Sequence, residues 1–385
     1  MANTIIRITG SSAFRANINN ILKNDQGQCG GPFNVVGNPW QSTSNQLVFQ
    51  NQTGSLCIKT SFTSSEAGLA ALGGMALYDN NNIPGQASSV LPGTPLPVFL
   101  DTATGTILND VSVPDVAMAD TSPGSTFSPG VQIADQGTVG IVPFVWMKGV
   151  NNGQVNWTNL SNLTSAQIAV LLAYGQQNLS FFTGKSADSG ASVVMIGRNL
   201  GSGTRANALL AVDYGLFIYV QQYAVSPVYV NGLLVNASNL TTHISDAAIK
   251  SIGNDGFNSG SGVANTLLMT PNGALTTIPI SYLSLIDAAT VQTLAAAASD
   301  PTKSQYLTLN GVPYSDAAVV NGTYDFWGHE HLVTGMNLSS TVSHFVGQFK
   351  MVLVASMTGG VNGISVATML ADRPNGGDTG YVAPL

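Results

Sequence analysis

The chain is short of charge, of cysteine and of long apolar runs, and each shortage excludes something. Only 8% of its 385 residues are Asp, Glu, Lys or Arg, against about 25% in ordinary soluble proteins. Its twelve Lys and Arg are scattered and the net charge is −7. Nucleic-acid partners are thereby excluded, because binding a phosphate backbone needs a clustered basic face. A basic helix lying on a membrane is excluded for the same reason, and no apolar run reaches the roughly 18 residues of a spanning helix. The only cysteines, Cys29 and Cys57, leave two readings open: one disulfide of an oxidising compartment, or two buried thiols. Walker, dinucleotide-binding and Gly-x-Ser-x-Gly patterns are missing from any convincing strand–helix context.

The opening "MANTIIRITGSSAF" has no charged segment followed by a long apolar one, so it is not a signal peptide. The expectation is a mature end preceded by an added Met. Length argues for about two domains.

What the chain does have is a rhythm of strand, small-residue turn and helix. "NTIIRITGSSAF" leads into "RANINNILKN", "LCIKTSFTSS" into "EAGLAALGG", and "ASVVMIGRNLGSGT" into "RANALLAVD". "TVGIVPFVWMKG" reads as a strand buried on both faces, and "LTSAQIAVLLAYG" as a helix with a Thr164–Gln167 capping box and a stopping glycine. This order predicts α/β architecture with mostly parallel sheets, whose ligands gather at the carboxyl ends of strands. Polar stretches at 148–162 and 319–333 are the expected crossings between lobes. "NLSSTVSHFVGQFKMVLVASM" predicts a closing helix with Val342, Phe345, Val346, Phe349 and Leu353 on its buried face. The Asn- and Gly-rich stretches "YDNNNIPGQASSVLPGTPLP" and "GNDGFNSGSG" read as surface loops.

Chemistry concentrates at the turns. Gly201, Ser202, Gly203 and Thr204 open a helix, where unpaired N–H groups and the helix dipole suit an anion, and Arg198 adds a planar fork. The plain alternative is that Ser202 or Thr204 only caps the helix. Gly10, Ser11, Ser12 and Ala13 form a similar turn, as do Ser64 and Ser65, and Asp120 ends the strand of "VAMADTS". A carboxylate among anion-binding groups repels a fully ionised tetrahedral anion but accepts a hydrogen bond from one that keeps a proton. It therefore selects phosphate over sulfate. "HEH" at 329–331 offers two histidines that share a side only on a strand. No third metal ligand is evident, and with Phe326 and Trp327 beside them a packed junction is expected rather than a metal. His243 and His344 stand alone. Arg15 and Arg205 are expected at solvated positions.

"ITGSSAF", "TSSEAGLAAL", "VAMADTS", "VGIVPFVWMKG", "LTSAQIAVLLAYG" and "GRNLGSGTR" stand in the order and approximate spacing of a known family. The chain resembles the periplasmic phosphate-binding proteins of ABC transporters, of the type II periplasmic-binding-protein fold, together with the related DING proteins. The resemblance runs in pieces from about residue 5 to 210 and returns at "TYDFWGHEHL". It implies two lobes, 1–150 with 325–385 and 151–324, built on two mixed, mainly parallel sheets and joined by a two-crossing hinge. It implies inorganic phosphate or a similar protonated oxyanion as ligand, a transporter permease as partner, a periplasmic or extracellular location, and neither catalysis nor a cofactor. The implied ligand set is Ser11, Ser12, Ala13, Phe14, Ser64 or Ser65, Asp120, Arg198, Ser202, Gly203 and Thr204.

Two departures stand out. Leu200 occupies the place of an acid that pairs with the arginine, which predicts a less firmly oriented Arg198 and a stronger positive field. Ala13 stands where a threonine hydroxyl is usual, leaving Ser11 or Ser12 to substitute. The competing function is structural, a surface or extracellular protein that self-assembles, for which scarce charge favours close lateral packing. A phosphatase-like hydrolase ranks last, for want of a metal set or nucleophile–base pair.

Overall fold

The computed structural model describes residues 4–37, 39–62, 64–73, 97–100, 107–125, 132–151, 155–225, 229–230, 233–234, 249–257, 259–268, 276–297, 305–373, 378 and 380–385. Most of the stretch 78–97, and His243, lie outside them. The expected α/β architecture is present. The strands of its main sheet are β1 (Thr4–Gly10), β2 (Phe33–Val35), β3 (Gln46–Asn51), β4 (Leu56–Ser61), β5 (Val116–Ala119), β6 (Ile133–Lys148), β7 (Asn162–Leu163), β8 (Gln176–Asn178), β9 (Ser192–Met195), β10 (Thr277–Ser284), β11 (Gln305–Leu309) and β12 (Trp327–Gly335). They form one sheet in the order β8-β9-β10-β6-β12-β5-β1-β4-β3-β2, with β11 joining β6 to β7.

Strand β6 makes the sheet continuous. Its residues from Ile133 to Pro143 pair with β12, and those from Phe144 to Lys148 pair with β10. The two parts of the sheet thus meet inside a strand. Because side chains alternate along a strand, Val142, Phe144 and Trp146 enter one apolar core while Val145 and Met147 enter another on the opposite face. That is the two-sided burial predicted from the unbroken apolar run. Among the described strands of this sheet, parallel pairing is confined to β1 with β4 and β5, β9 with β10, and β7 with β11. The remaining pairs are antiparallel, as the hairpin β3–β4 and the returning strands β6 and β12 require.

The helices that matter for the site are α1 (Arg15–Asn24), α2 (Ser65–Leu72), α3 (Ser165–Tyr174), α4 (Gly203–Leu210), α5 (Gly260–Leu267), α6 (Leu285–Ala297) and α7 (Ser340–Ala355). The α3 capping box forms in both directions, and Gly175 stops that helix with a positive φ of 73°. Helix α7 buries Val342, Phe345, Val346, Phe349 and Leu353 and packs on α1 and β6. Cys29 and Cys57 are both buried as thiols, and burial pushes the Cys29 thiol up to about 12. Among the described residues no helix is long and apolar enough to cross a membrane.

The stretch 253–262 is a correction to the sequence reading. Instead of a surface loop, its residues Asp255, Gly256 and Phe257 are buried: Phe257 is 1% exposed and its backbone bridges to Arg198. Gly256 makes this approach feasible, since a Cβ there would lie 2.4 Å from the Arg198 carbonyl carbon.

Candidate functional site

Strands β1, β4 and β5 are parallel neighbours. Their carboxyl ends therefore deliver Ser11, Ser64, Ser65 and Asp120 to one edge of the sheet. The turn after β9 meets them there. Glu66 N–H donates to the Gly201 carbonyl at 3.2 Å, and Thr204 Oγ1 donates to Asp120 Oδ2 at 3.4 Å. Ser65 Oγ donates to Asp120 Oδ1. Asn207, on the first turns of α4, donates to the Asp120 carbonyl at 2.6 Å. The fit depends on glycine, since a Cβ on Gly203 would stand 1.7 Å from Asp120 Oδ1. Loops from distant parts of the chain thus converge on Asp120.

The hydroxyls divide by role. Ser202 caps α4, its Oγ accepting the Arg205 N–H at 3.2 Å. Ser64 precedes α2 without a side-chain capping bond, and no side chain caps α1. Of the double serine, Ser65 is the one that reaches Asp120. Ser12 offers its carbonyl to Arg15, and Ala13 and Phe14 are buried beside it. Ser11 Oγ is buried and makes no hydrogen bond.

Arg198 is held more firmly than Leu200 suggests. Its Nε donates to the Phe257 carbonyl at 3.1 Å, and its backbone N–H donates to the Tyr282 hydroxyl at 3.1 Å. Burial pulls its pKa down, opposed by the charges of Asp287, Tyr282 and Asp120. The first of these charges comes from α6. Asp287 is buried, accepts from Arg15 Nη2 at 3.2 Å and from Ser284 Oγ at 3.0 Å, and offsets the cationic field that the sequence predicts.

Both flanking arginines also depart from expectation. Arg15 is buried and spans from α1 to α6 through Asp287. Arg205 is buried too. It donates to the Arg198 carbonyl at 3.0 Å and to Asn254 at 2.8 and 2.6 Å, so it clamps the loop that carries Arg198. In so uncharged a chain the few guanidiniums serve as multi-pronged donors to buried carbonyls.

Sequence reasoning missed Glu330. It is wholly buried on β12, and neither carboxyl oxygen has a hydrogen-bond partner. Burial and then the charge of Asp120 raise its pKa well above the usual range; Ser11 stands close enough to oppose this without a well-formed bond. Burial likewise raises Asp120 to about 6, against the pull of Ser65 and Arg198. The available signal was alternation: if His329 and His331 share one side of a strand, Glu330 lies on the other. Buried oxygens left unpaired in this way, Ser11 Oγ and both of Glu330, need a polar guest or water.

His329 and His331 are also buried, but as more than a packed junction. Trp327 and His329 stack edge to face at 5.3 Å, as the junction reading expects, while Asp378 supplies the third potential metal ligand that the sequence left unidentified.

No protein-family model matches the chain, and no curated protein is significantly similar to it. Among solved structures, a candidate phosphate ABC transporter substrate-binding protein with bound phosphate from Clostridium perfringens superposes with a TM-score of 0.49 at 13% identity, covering 94% of this chain and 100% of that one. An ABC-type phosphate transport receptor from Vibrio cholerae gives 0.44 at 12% identity, over 90% and 94% of the two chains. PstS from Borrelia burgdorferi gives 0.38 at 11% identity, over 90% and 92%.

Proposed function

We propose that the chain is a non-catalytic solute-binding protein that works outside the cytoplasm, captures inorganic phosphate or a similarly protonated oxyanion, and passes it to a transporter permease. In this reading residues 1–150 with 325–385 form one lobe and 151–324 the other, and the ligand is enclosed where they meet. The ligand groups are the turn of Ser11, Ser12, Ala13 and Phe14, the hydroxyls of Ser64 and Ser65, Asp120, Arg198, and the turn of Ser202, Gly203 and Thr204.

The observation that carries the reading is the convergence of the turns after β4 and β9, through Ser65 and Thr204, on Asp120 at the end of β5, with the guanidinium of Arg198 in electrostatic reach. At neutral pH Asp120, at about 6, is ionised and accepts the proton of the anion. Arg198 and backbone N–H groups meet its charged oxygens. Burial makes each charge-assisted bond stronger than it is in water.

The test is calorimetry with phosphate and with sulfate, on protein freed of carried-over ligand by unfolding and refolding. Saturable heat with phosphate and at least tenfold weaker binding of sulfate are expected. Absence of heat with phosphate rejects the proposal.

A further inference from the structure

The side of β12 that carries the histidines has chemistry that anion binding does not use. His329, His331 and Asp378 are 2%, 5% and 2% exposed, and one ligand atom from each lies within 4.8 Å of the others. The atoms without any hydrogen-bond partner are His329 Nδ1, His331 Nε2 and Asp378 Oδ1. Their opposite atoms are all engaged. His329 Nε2 is 3.1 Å from Asp372 Oδ1, His331 Nδ1 is 3.0 Å from Asp135 Oδ2, and Asp378 Oδ2 accepts the Ser122 N–H.

A carboxylate on the far nitrogen of an imidazole keeps the ring proton there and leaves the near nitrogen as a lone pair. Both rings here are placed for that arrangement, and the third group is a carboxylate oxygen. Three acceptors without a donor between them repel one another unless a cation joins them. The charge of the neighbouring Arg373 reaches Asp378 and His329, but its guanidinium is turned to other partners: it lies 4.1 Å above the Trp327 ring and donates to the carbonyls of Trp327 and Asp325 at 2.9 and 2.6 Å.

The geometry points to a divalent-metal site formed by His329, His331 and Asp378. Two imidazoles and one carboxylate suit zinc or another first-row ion better than calcium or magnesium, and three protein ligands leave a fourth position for water. Asp372 and Asp135 are positioning residues that orient the two rings. Because Asp372 and Asp378 belong to the C-terminal segment while Asp135 lies on β6, the ion fastens that segment across β12 to the turn that follows Asp120.

The experiment uses tag-free full-length protein, stripped with a chelator, in phosphate-free buffer. Titration with Zn²⁺ is expected to saturate at one equivalent and to raise the thermal midpoint. Co²⁺ is expected to give the visible bands of a four-coordinate nitrogen and oxygen site. His331→Gln and Asp378→Asn, each checked for native circular dichroism, should weaken zinc at least tenfold, whereas His344→Gln, on the exposed side of α7, should leave it unchanged. Wild-type protein that takes up no zinc overturns the site whatever the variants do. So does a sulfur-to-cobalt charge-transfer band, which puts the ion on cysteine, or a folded Asp378→Asn that binds zinc as tightly as wild type.

Discussion

Asp120 carries the largest consequences for a single residue. Its carboxyl is fully buried and its pKa lies at about 6 rather than 3.8. Between those values the folded chain holds a proton that the unfolded chain has released. Stability from this group is therefore complete at the acid end and is lost as pH rises through 6, by on the order of 3 kcal/mol. Urea unfolding of wild type against Asp120→Asn across pH 4 to 7 checks this: the variant should lack that part of the decline. The same substitution bears on ligand choice. Without an ionised acceptor the site no longer penalises a proton-free anion, so the preference for phosphate over sulfate should shrink at least tenfold, about 1.4 kcal/mol. An unchanged preference in calorimetry would mean that another group reads the proton.

At the scale of elements, the turn into α4 sets helix propensity against contact. Gly203→Ala gains about 1 kcal/mol where a helix position is open. Here the new methyl would stand 1.7 Å from Asp120 Oδ1 and 2.8 Å from Ser65 Oγ, so overpacking wins. A net loss of about 1–3 kcal/mol is expected, together with loss of phosphate binding; denaturant titration and calorimetry measure the two. Much of this level was legible in the sequence. The capping box of α3, the apolar face of α7 and the serine turns are local patterns whose spacing is also their structure. Asp287, Glu330 and Phe257 were not legible. Asp287 reads as an ordinary first-turn acid, and it gains its role only by meeting Arg15 across 272 residues. Phe257 sits in a string of loop-forming residues whose burial depends on a contact with Arg198. Arg205 was misjudged because charge usually means solvent, whereas here it satisfies buried carbonyls.

For the molecule as a whole, the Arg15–Asp287 pair joins elements that lie 272 residues apart in the sequence. Both side chains are 4% exposed, so removing one partner strands a buried charge. Asp287→Asn is expected to cost about 3–5 kcal/mol in denaturant unfolding, and Arg15→Met in the same chain to recover part of it. Little recovery would mean that Asp287 acts mainly on Arg198. The shared strand β6 bears on how such a chain is made. Its partners β10 and β12 begin at Thr277 and Trp327, so a ribosome must release most of the polypeptide before the middle of the sheet has neighbours. Topologies that wait on such distant pairings assemble late. A fragment of residues 1–150 should therefore give the circular dichroism of an unfolded chain. Until synthesis is nearly finished, this apolar strand is a nascent edge in need of shelter, and dependence on a chaperone while the chain is being made is the expected consequence of that single 16-residue element.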